Sequence, residues 1–439
     1  MSLLVTAALV FVTFPQGQPA AAATTDPKAH AAAVIAAMTA SDFAKVEADF
    51  DDKMKGALPP GRLKMMWEGV VGQLGALKAC GGDVRVRAIA DKQMVITPCV
   101  FERATLDVQF AFDTANHISG FSMRPAGGPY VPPSYATSAA YAESEITIGS
   151  GEWALPGTLT MPVGAGPFPG IVLVHGSGPG DRDQTNGPNK PFKDLALGLA
   201  SRGIAVLRYD KRTKVYGARM AGLSGMTVKD EVIDDALAAA SLLRSQPRID
   251  PARVFVLGHS LGGMLIPRVA AADLSLAGVV VLAGPTRQLD RAILEQTKYL
   301  ANADGTVTAD EQKGIDDAQK LVDGVAALTA SAAANAPRIG NAPPSYWLDL
   351  RGYDPPAVAR GQRVPMLILQ GERDYQVTMD DFARWKAALG ERRDVTFRSY
   401  PALNHMFMAG TGKSLPAEYL NASHVSEDVV TDIAAWIRP

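Results

Sequence analysis

The chain has 439 residues, of which 47% are hydrophobic and 20% charged, a composition ordinary for soluble globular proteins and ample for roughly two or three folding units. Lys+Arg 43 against Asp+Glu 45 leaves a formal net charge of -2, so no global positive field exists to hold a phosphate backbone, and nucleic acid is not an expected partner. Two cysteines, Cys80 and Cys99, are too few for a disulfide scaffold and lack the C-x-x-C and His spacing of a structural zinc site, so neither a metal nor a redox cofactor is expected.

Leu3 to Phe14 is mostly apolar but far short of the roughly 20 residues that cross a bilayer as a helix. Pro15, Gly17 and Pro19 break the run, and Ala20 to Ala23 supply the small residues that signal peptidase favours. Residues 1–24 therefore read as a secretory signal peptide, which implies a periplasmic or secreted protein without a stable membrane anchor. The missing feature is a positive n-region, since no Lys or Arg precedes Lys28; the competing reading is an Ala-rich cytoplasmic tail.

From Ala31 to about Lys78 the text is helical: Val34, Ile35 and Met38 share a face, Phe43, Val46 and Phe50 recur at helical spacing, and a second segment runs from Leu63 to Leu77. After Gly81 and Gly82 the period becomes two. Val84 and Val86, then Leu106, Val108, Phe110 and Phe112, alternate with polar partners as in half-buried strands, and Ile118, Phe121 and Met123 finish the pattern. Helices followed by about four strands predict a small α+β domain over 29–125. Cys99 should lie in a strand that pairs with Val84 to Ile89, a hairpin able to bring it to Cys80 for one disulfide in the exported protein. Residues 126–142, rich in Gly and Pro, read as a linker.

Beyond it, short apolar runs alternate with helical text: Ile171 to Val174, Ile204 to Leu207, Val254 to Leu257, Val279 to Leu282 and Met366 to Leu369. Such runs suit strands buried on both faces of a parallel sheet, which makes 143–439 one α/β domain. Between about 286 and 359 the rhythm lapses into helices, predicting a cap inserted over the sheet's carboxyl edge, where Tyr346 and Trp347 would shape an acyl pocket.

Gly258-His259-Ser260-Leu261-Gly262 fits G-x-S-x-G. With Gly 41 in 439 residues and Ser near about 6%, roughly 0.2 matches arise per chain by chance, so the setting carries the signal. An apolar strand runs into the motif and a helix leaves it, as a nucleophile elbow requires. A serine hydroxyl needs a base, and the order Ser, Asp, His selects His405, in a loop after the strand-like Val395 to Ser399, over His424. The acid is Asp374, with Glu372 as competitor. The main-chain amides of Leu261 and Ser177 should form the oxyanion hole, the latter from His175-Gly176-Ser177-Gly178-Pro179-Gly180. His175 itself reads as a loop brace.

Val174-His175-Gly176-Ser177-Gly178-Pro179, Arg208-Tyr209-Asp210-Lys211-Arg212, the elbow with Gly263, Gly371-Glu372-Arg373-Asp374 and Asn404-His405 together resemble bacterial serine esterases of the α/β-hydrolase superfamily. The resemblance implies an α/β-hydrolase fold with a helical cap, preceded here by a small domain of unknown function, and a Ser260, Asp374, His405 triad. It departs from the pattern at Thr213-Lys214-Val215, where many relatives have a Gly-rich turn; Asp210 and Arg212 read as braces. The function expected is hydrolysis of a small-molecule carboxylic ester through an acyl-enzyme, without a cofactor. The alternatives are a thioesterase, lactonase or aminopeptidase on the same triad, and a non-enzymatic binding protein.

Overall fold

The structure, a computed structural model, describes residues 26–89, 91–126, 130–331 and 336–438; the proposed signal peptide lies outside them. Four helices open the described chain, Pro27–Thr39, Phe43–Ala48, Asp52–Ala57 and Arg62–Leu74. They pack on an antiparallel sheet of β1 (Leu77–Cys80), β2 (Arg85–Ile89), β3 (Lys92–Phe101), β4 (Thr105–Phe112) and β5 (Ile118–Pro125). Apolar helix positions such as Val34, Met38, Trp67 and Val70 meet the inward-facing alternate residues Val108, Phe110 and Phe112 in one core. His30 braces this core: its Nε2 lies 2.6 Å from Asp49 Oδ2, Asn116 Nδ2 donates to its Nδ1 at 2.9 Å, and its ring stacks on Phe112.

Two sequence expectations are corrected in this region. The helix expected to run to Leu77 stops at Leu74, because Gly75 adopts φ 79 and sits where a Cβ would collide with the Glu102 carboxylate. The chain therefore turns into a fifth strand, β1, which places Cys80 directly opposite Cys99 on β3. The two are joined as a disulfide with Cα atoms 4.0 Å apart, through the β1 and β3 pairing and not through the β2 and β3 hairpin.

The second sheet has eight strands: β6 (Tyr141–Ile148), β7 (Leu155–Pro162), β8 (Phe168–Val174), β9 (Ala205–Tyr209), β10 (Ile249–His259), β11 (Gly278–Leu282), β12 (Met366–Gly371) and β13 (Val395–Tyr400). Their order is β13-β12-β11-β10-β8-β9-β7-β6, parallel from β13 to β9 and antiparallel at β7 and β6. Alternate residues of the central strands serve two separate cores. Val172, Val256 and Val281 join one; Ile171, Leu257 and Val280 join the other. This is the double-faced burial that the unbroken apolar runs predict.

The insertion after β11 forms the helices Leu289–Ala301, Ala309–Ala327, Pro344–Leu350 and Pro355–Arg360. It is anchored at its far end: Tyr346, Leu350, Tyr353 and Ala359 belong to the same core as β8 and β10. The segment before β6 is tied down as well, with Tyr135 donating to Val425 O at 2.7 Å and Tyr130 to Asp194 at 2.7 Å. Asp194 also receives His424 Nδ1 at 3.1 Å, so His424 is a partly exposed member of this hub. Among the described residues no helix is long and apolar enough to cross a membrane.

Candidate active site

Strand β10 delivers the chain into the helix Leu261–Ala272 through one residue, Ser260, at φ 54 and ψ -119. Residues other than glycine seldom adopt this backbone, and they persist there only where the surroundings enforce it. Ser260 N donates to Leu282 O at 3.0 Å and Ser260 O accepts from Met264 N at 2.9 Å, so the turn is pinned on both sides. A Cβ at Gly262 would fall 2.6 Å from Val174 O, and one at Gly263 2.9 Å from Gly258 O, which is why the motif needs glycine there. The Ser260 hydroxyl itself makes no hydrogen bond among the described residues.

His405 and Asp374 meet at the carboxyl ends of β12 and β13. His405 Nδ1 donates to Asp374 Oδ2 at 2.6 Å, with the two residues 3% and 5% exposed. The second carboxylate oxygen accepts from Gln376 N at 2.8 Å and Val377 N at 3.0 Å, and Gln370 Nε2 lies 3.3 Å from the first. A carboxylate with this many donors is fixed in orientation, and a proton on Nδ1 leaves Nε2 of the neutral imidazole as its acceptor nitrogen. Asn404 shapes the turn that carries the imidazole, accepting from Met406 N and Met408 N. Glu372 faces outward and accepts from the Ser399 hydroxyl at 2.8 Å, so Asp374 is the carboxylate brought to the imidazole.

In the sequence His259 stands out only as part of the motif, yet in the fold it connects the elbow to the His405 loop. Its Nε2 donates to His405 O at 2.9 Å, its Nδ1 accepts from Gln184 Nε2 at 2.7 Å, and the two imidazoles lie 4.6 Å apart. Burial pushes its pKa down to about 3, which keeps it neutral, and its two partners select the tautomer. Nothing in the residue pattern points to Gln184, which reaches this position at φ 53 from a loop distant in sequence.

Of the two amides expected to bind an oxyanion, Leu261 N directly follows the elbow and Ser177 N follows Gly176, where a Cβ would fall 2.9 Å from Ser260 Cβ. Leu261 N opens a helix, where N–H groups lack intrahelical partners. Ser177 is exposed in the loop after β8. His175 at the start of that loop is a brace: its Nε2 donates to Asp181 O at 2.8 Å, its ring packs on Phe192 and Tyr209, and burial lowers its pKa to about 4. Asp210 accepts from Arg182 N at 2.7 Å, and Arg212 pairs with Asp235.

The insertion supplies different residues from those expected. Tyr346 and Trp347, each 5% exposed, are spent on packing: Tyr346 OH donates to Glu231 and Trp347 Nε1 to Ile339 O at 3.0 Å. Tyr346 joins the core of the body, and Trp347 packs with Val325 and Leu328 inside the insertion. Tyr299, on the helix Leu289–Ala301, instead stacks on Tyr375 at 4.9 Å, and Tyr375 directly follows Asp374. Among the described residues no cluster of His, Cys, Asp or Glu has the arrangement of a metal site.

Residues 31–121 match a family described as a protein of unknown function, DUF3887, and residues 171–422 match the alpha/beta hydrolase family. The chain is 35% identical over 401 residues to Esterase EstD of Thermotoga maritima, spanning 91% of this chain and 92% of that one. An uncharacterized protein of Mycobacterium tuberculosis is 32% identical over 164 residues, 35% of this chain and 52% of the relative. Among solved structures, an esterase of Pyrobaculum calidifontis aligns over 68% of this chain and 85% of its own at 16% identity and a TM-score of 0.46. Since the esterase of Thermotoga maritima is matched along nearly its whole length, small domain included, the chain belongs to the alpha/beta hydrolase family.

Proposed function

We propose that this protein is a serine hydrolase that cleaves small-molecule carboxylic esters through an acyl-enzyme. The observation that carries the reading is the buried bond from His405 to Asp374, tied through the His259 bond to His405 O to a serine on a strained elbow. The kinship with an esterase over 91% of the chain agrees with it. Ser260 Oγ attacks the ester carbonyl while His405 Nε2 takes its proton, and Asp374 stabilises the imidazolium that forms. The carbonyl oxygen becomes an oxyanion held by the amides of Leu261 and Ser177, each contributing about 3 kcal/mol in comparable sites. As the intermediate collapses, the alcohol leaves with the proton from Nε2. Water then attacks the acyl-enzyme by the same route and frees the acid.

The Tyr299 and Tyr375 stack, between the insertion and the acid, bounds the acyl side of the pocket in this reading. The mature protein is exported after removal of residues 1–24, a reading supported by the Cys80 and Cys99 disulfide, since such bonds persist in oxidising compartments. The decisive experiment labels the protein with a fluorophosphonate and assays nitrophenyl esters beside thioesters, lactones and aminoacyl amides. Labelling at Ser260 with fastest turnover of esters is expected; labelling elsewhere, or preference for another panel member, overturns the corresponding part.

A further inference from the structure

The loop after β9 contains a buried cation that the hydrolytic steps do not use. Lys211 is 2% exposed, and its ammonium donates to Gly176 O at 2.8 Å and pairs with Glu231 Oε1 at 2.6 Å. The desolvation of a buried ammonium has to be offset by its partners, and here those partners are the Gly176 carbonyl and the Glu231 carboxylate. Glu231 is 6% exposed and stands in a π-helical turn, Lys229–Ile233. Its other oxygen accepts from Tyr346 OH at 2.7 Å. Tyr346 lies on the insertion helix Pro344–Leu350, and its burial against Glu231 pushes the phenol's pKa up and keeps it a donor. Three side chains thus form a continuous buried chain from the insertion to the carbonyl of Gly176.

That carbonyl belongs to the peptide whose other end is the N–H of Ser177. The Gly176–Ser177 bond is trans, as are the described peptides other than Gly166–Pro167. A trans peptide is planar with its C=O and N–H pointing in opposite directions, so fixing one direction fixes the other. Gly176 also packs on the nucleophile, where a Cβ would fall 2.9 Å from Ser260 Cβ, and Gly178 follows at φ 83. A half-turn of the Gly176–Ser177 peptide, through ψ of Gly176 and φ of Ser177, is eased by the glycine at 176 and would replace the donor facing the substrate with an acceptor. A charge-assisted hydrogen bond from a buried ammonium opposes that rotation. Lys211 N, donating to Gly180 O at 3.0 Å, secures the end of the same loop.

We propose that Lys211, supported by Glu231 and Tyr346, is a positioning residue that locks the Gly176–Ser177 peptide with the Ser177 N–H facing the oxyanion, and so couples the insertion to the oxyanion hole. This rests on the reading of Ser177 as an oxyanion donor. The test uses the full chain with Lys211→Met and Glu231→Leu together, so that no charge is left buried alone. Turnover of nitrophenyl acetate should fall about tenfold to a hundredfold with KM held within about twofold, because only the transition state gains from the donor. Affinity for a trifluoromethyl ketone, whose adduct with Ser260 carries the oxyanion, should fall in step with kcat/KM, an effect that a general loss of packing would not produce. Tyr346→Phe removes only the last link and should lower kcat about threefold, again at constant KM; it decides the matter if the paired variant does not fold. Unchanged kcat and ketone affinity in a folded variant, or a change confined to KM, overturns the proposal. Turnover retained by Ser260→Ala would overturn the underlying hydrolase reading instead, so the two failures are distinguishable.

Discussion

The small helical and antiparallel region and the hydrolase body treat buried polarity differently. Among the described residues, the first buries two polar side chains, Thr97 and Asp107, and matches Asp107 with Arg85 at 2.5 Å. The second buries His175, Lys211, Glu231, His259, Asp374 and His405 near the carboxyl ends of its central strands. Desolvating such groups is unfavourable unless each finds partners, and each of these has at least one. The difference teaches where function resides. A region whose burial is almost wholly apolar is organised for stability, whereas one that concentrates partnered ionisable groups at the carboxyl ends of its strands has the makings of a chemical site.

The largest test of that contrast removes the proposed nucleophile. Ser260→Ala should reduce ester turnover at least about 10⁴-fold, with His405→Ala nearly as severe, while the thermal transition moves little because the hydroxyl makes no bond among the described residues. Asp374→Asn should cost about 10³-fold through the wrong imidazole tautomer, whereas Glu372→Gln, which touches only the exposed Ser399 contact, should leave kcat unchanged. Steady-state kinetics on purified variants decides both, and Glu372→Gln proving worse than Asp374→Asn would exchange the two acids.

Acid should then separate the two regions by stability. His175 and His259 are held neutral, with pKa values of about 4 and about 3, against about 6.5 in an unfolded chain. Below about pH 6.5 the unfolded chain binds protons that the folded one cannot, so their contribution is complete above that pH and declines as pH falls toward 4. The loss reaches on the order of 3 kcal/mol for each at the low end. Hydrogen exchange at pH 5 against pH 7.5, corrected for intrinsic rates, should show the loss in β8 and β10 but not in β3 and β4. Equal loss in both sheets would break the comparison.

Removing the disulfide acts on the other side. Cys80→Ser with Cys99→Ala opens a loop with a sequence separation of 19, and should destabilise the small region by roughly 3 kcal/mol on the chain-entropy argument while leaving kcat unchanged. Two alkylatable thiols in protein recovered from the periplasm would refute the bridge and remove the support it lends to the export reading. The smallest effect expected is one of selectivity: Tyr299→Ala, which dismantles the stack on Tyr375, should shift the preference between short and long acyl esters up to about tenfold, or about 1.4 kcal/mol, in kcat/KM. A chain-length series run on both proteins measures it, and an unchanged ratio would remove the stack from the acyl side.

Local pattern determined much of this molecule. The central strands were legible because burial on both faces writes a continuous apolar run, and the elbow because a tight strand-to-helix turn tolerates only glycine around Ser260. The order of nucleophile, acid and base along the chain also reduced six histidines to one principal candidate. Tertiary structure alone decided what depends on residues far apart in sequence. It set Asp374 against the His405 imidazole and Glu372 against Ser399, and it buried Tyr346 in the core. It also made β1 from text that continued a helical pattern and brought Gln184, His259 and the His405 loop into one hydrogen-bonded row. The physical reason is that periodicity reports which face of an element is buried, whereas the partner of a buried polar group is set by the packing of elements against one another, a non-local property absent from any short stretch of sequence.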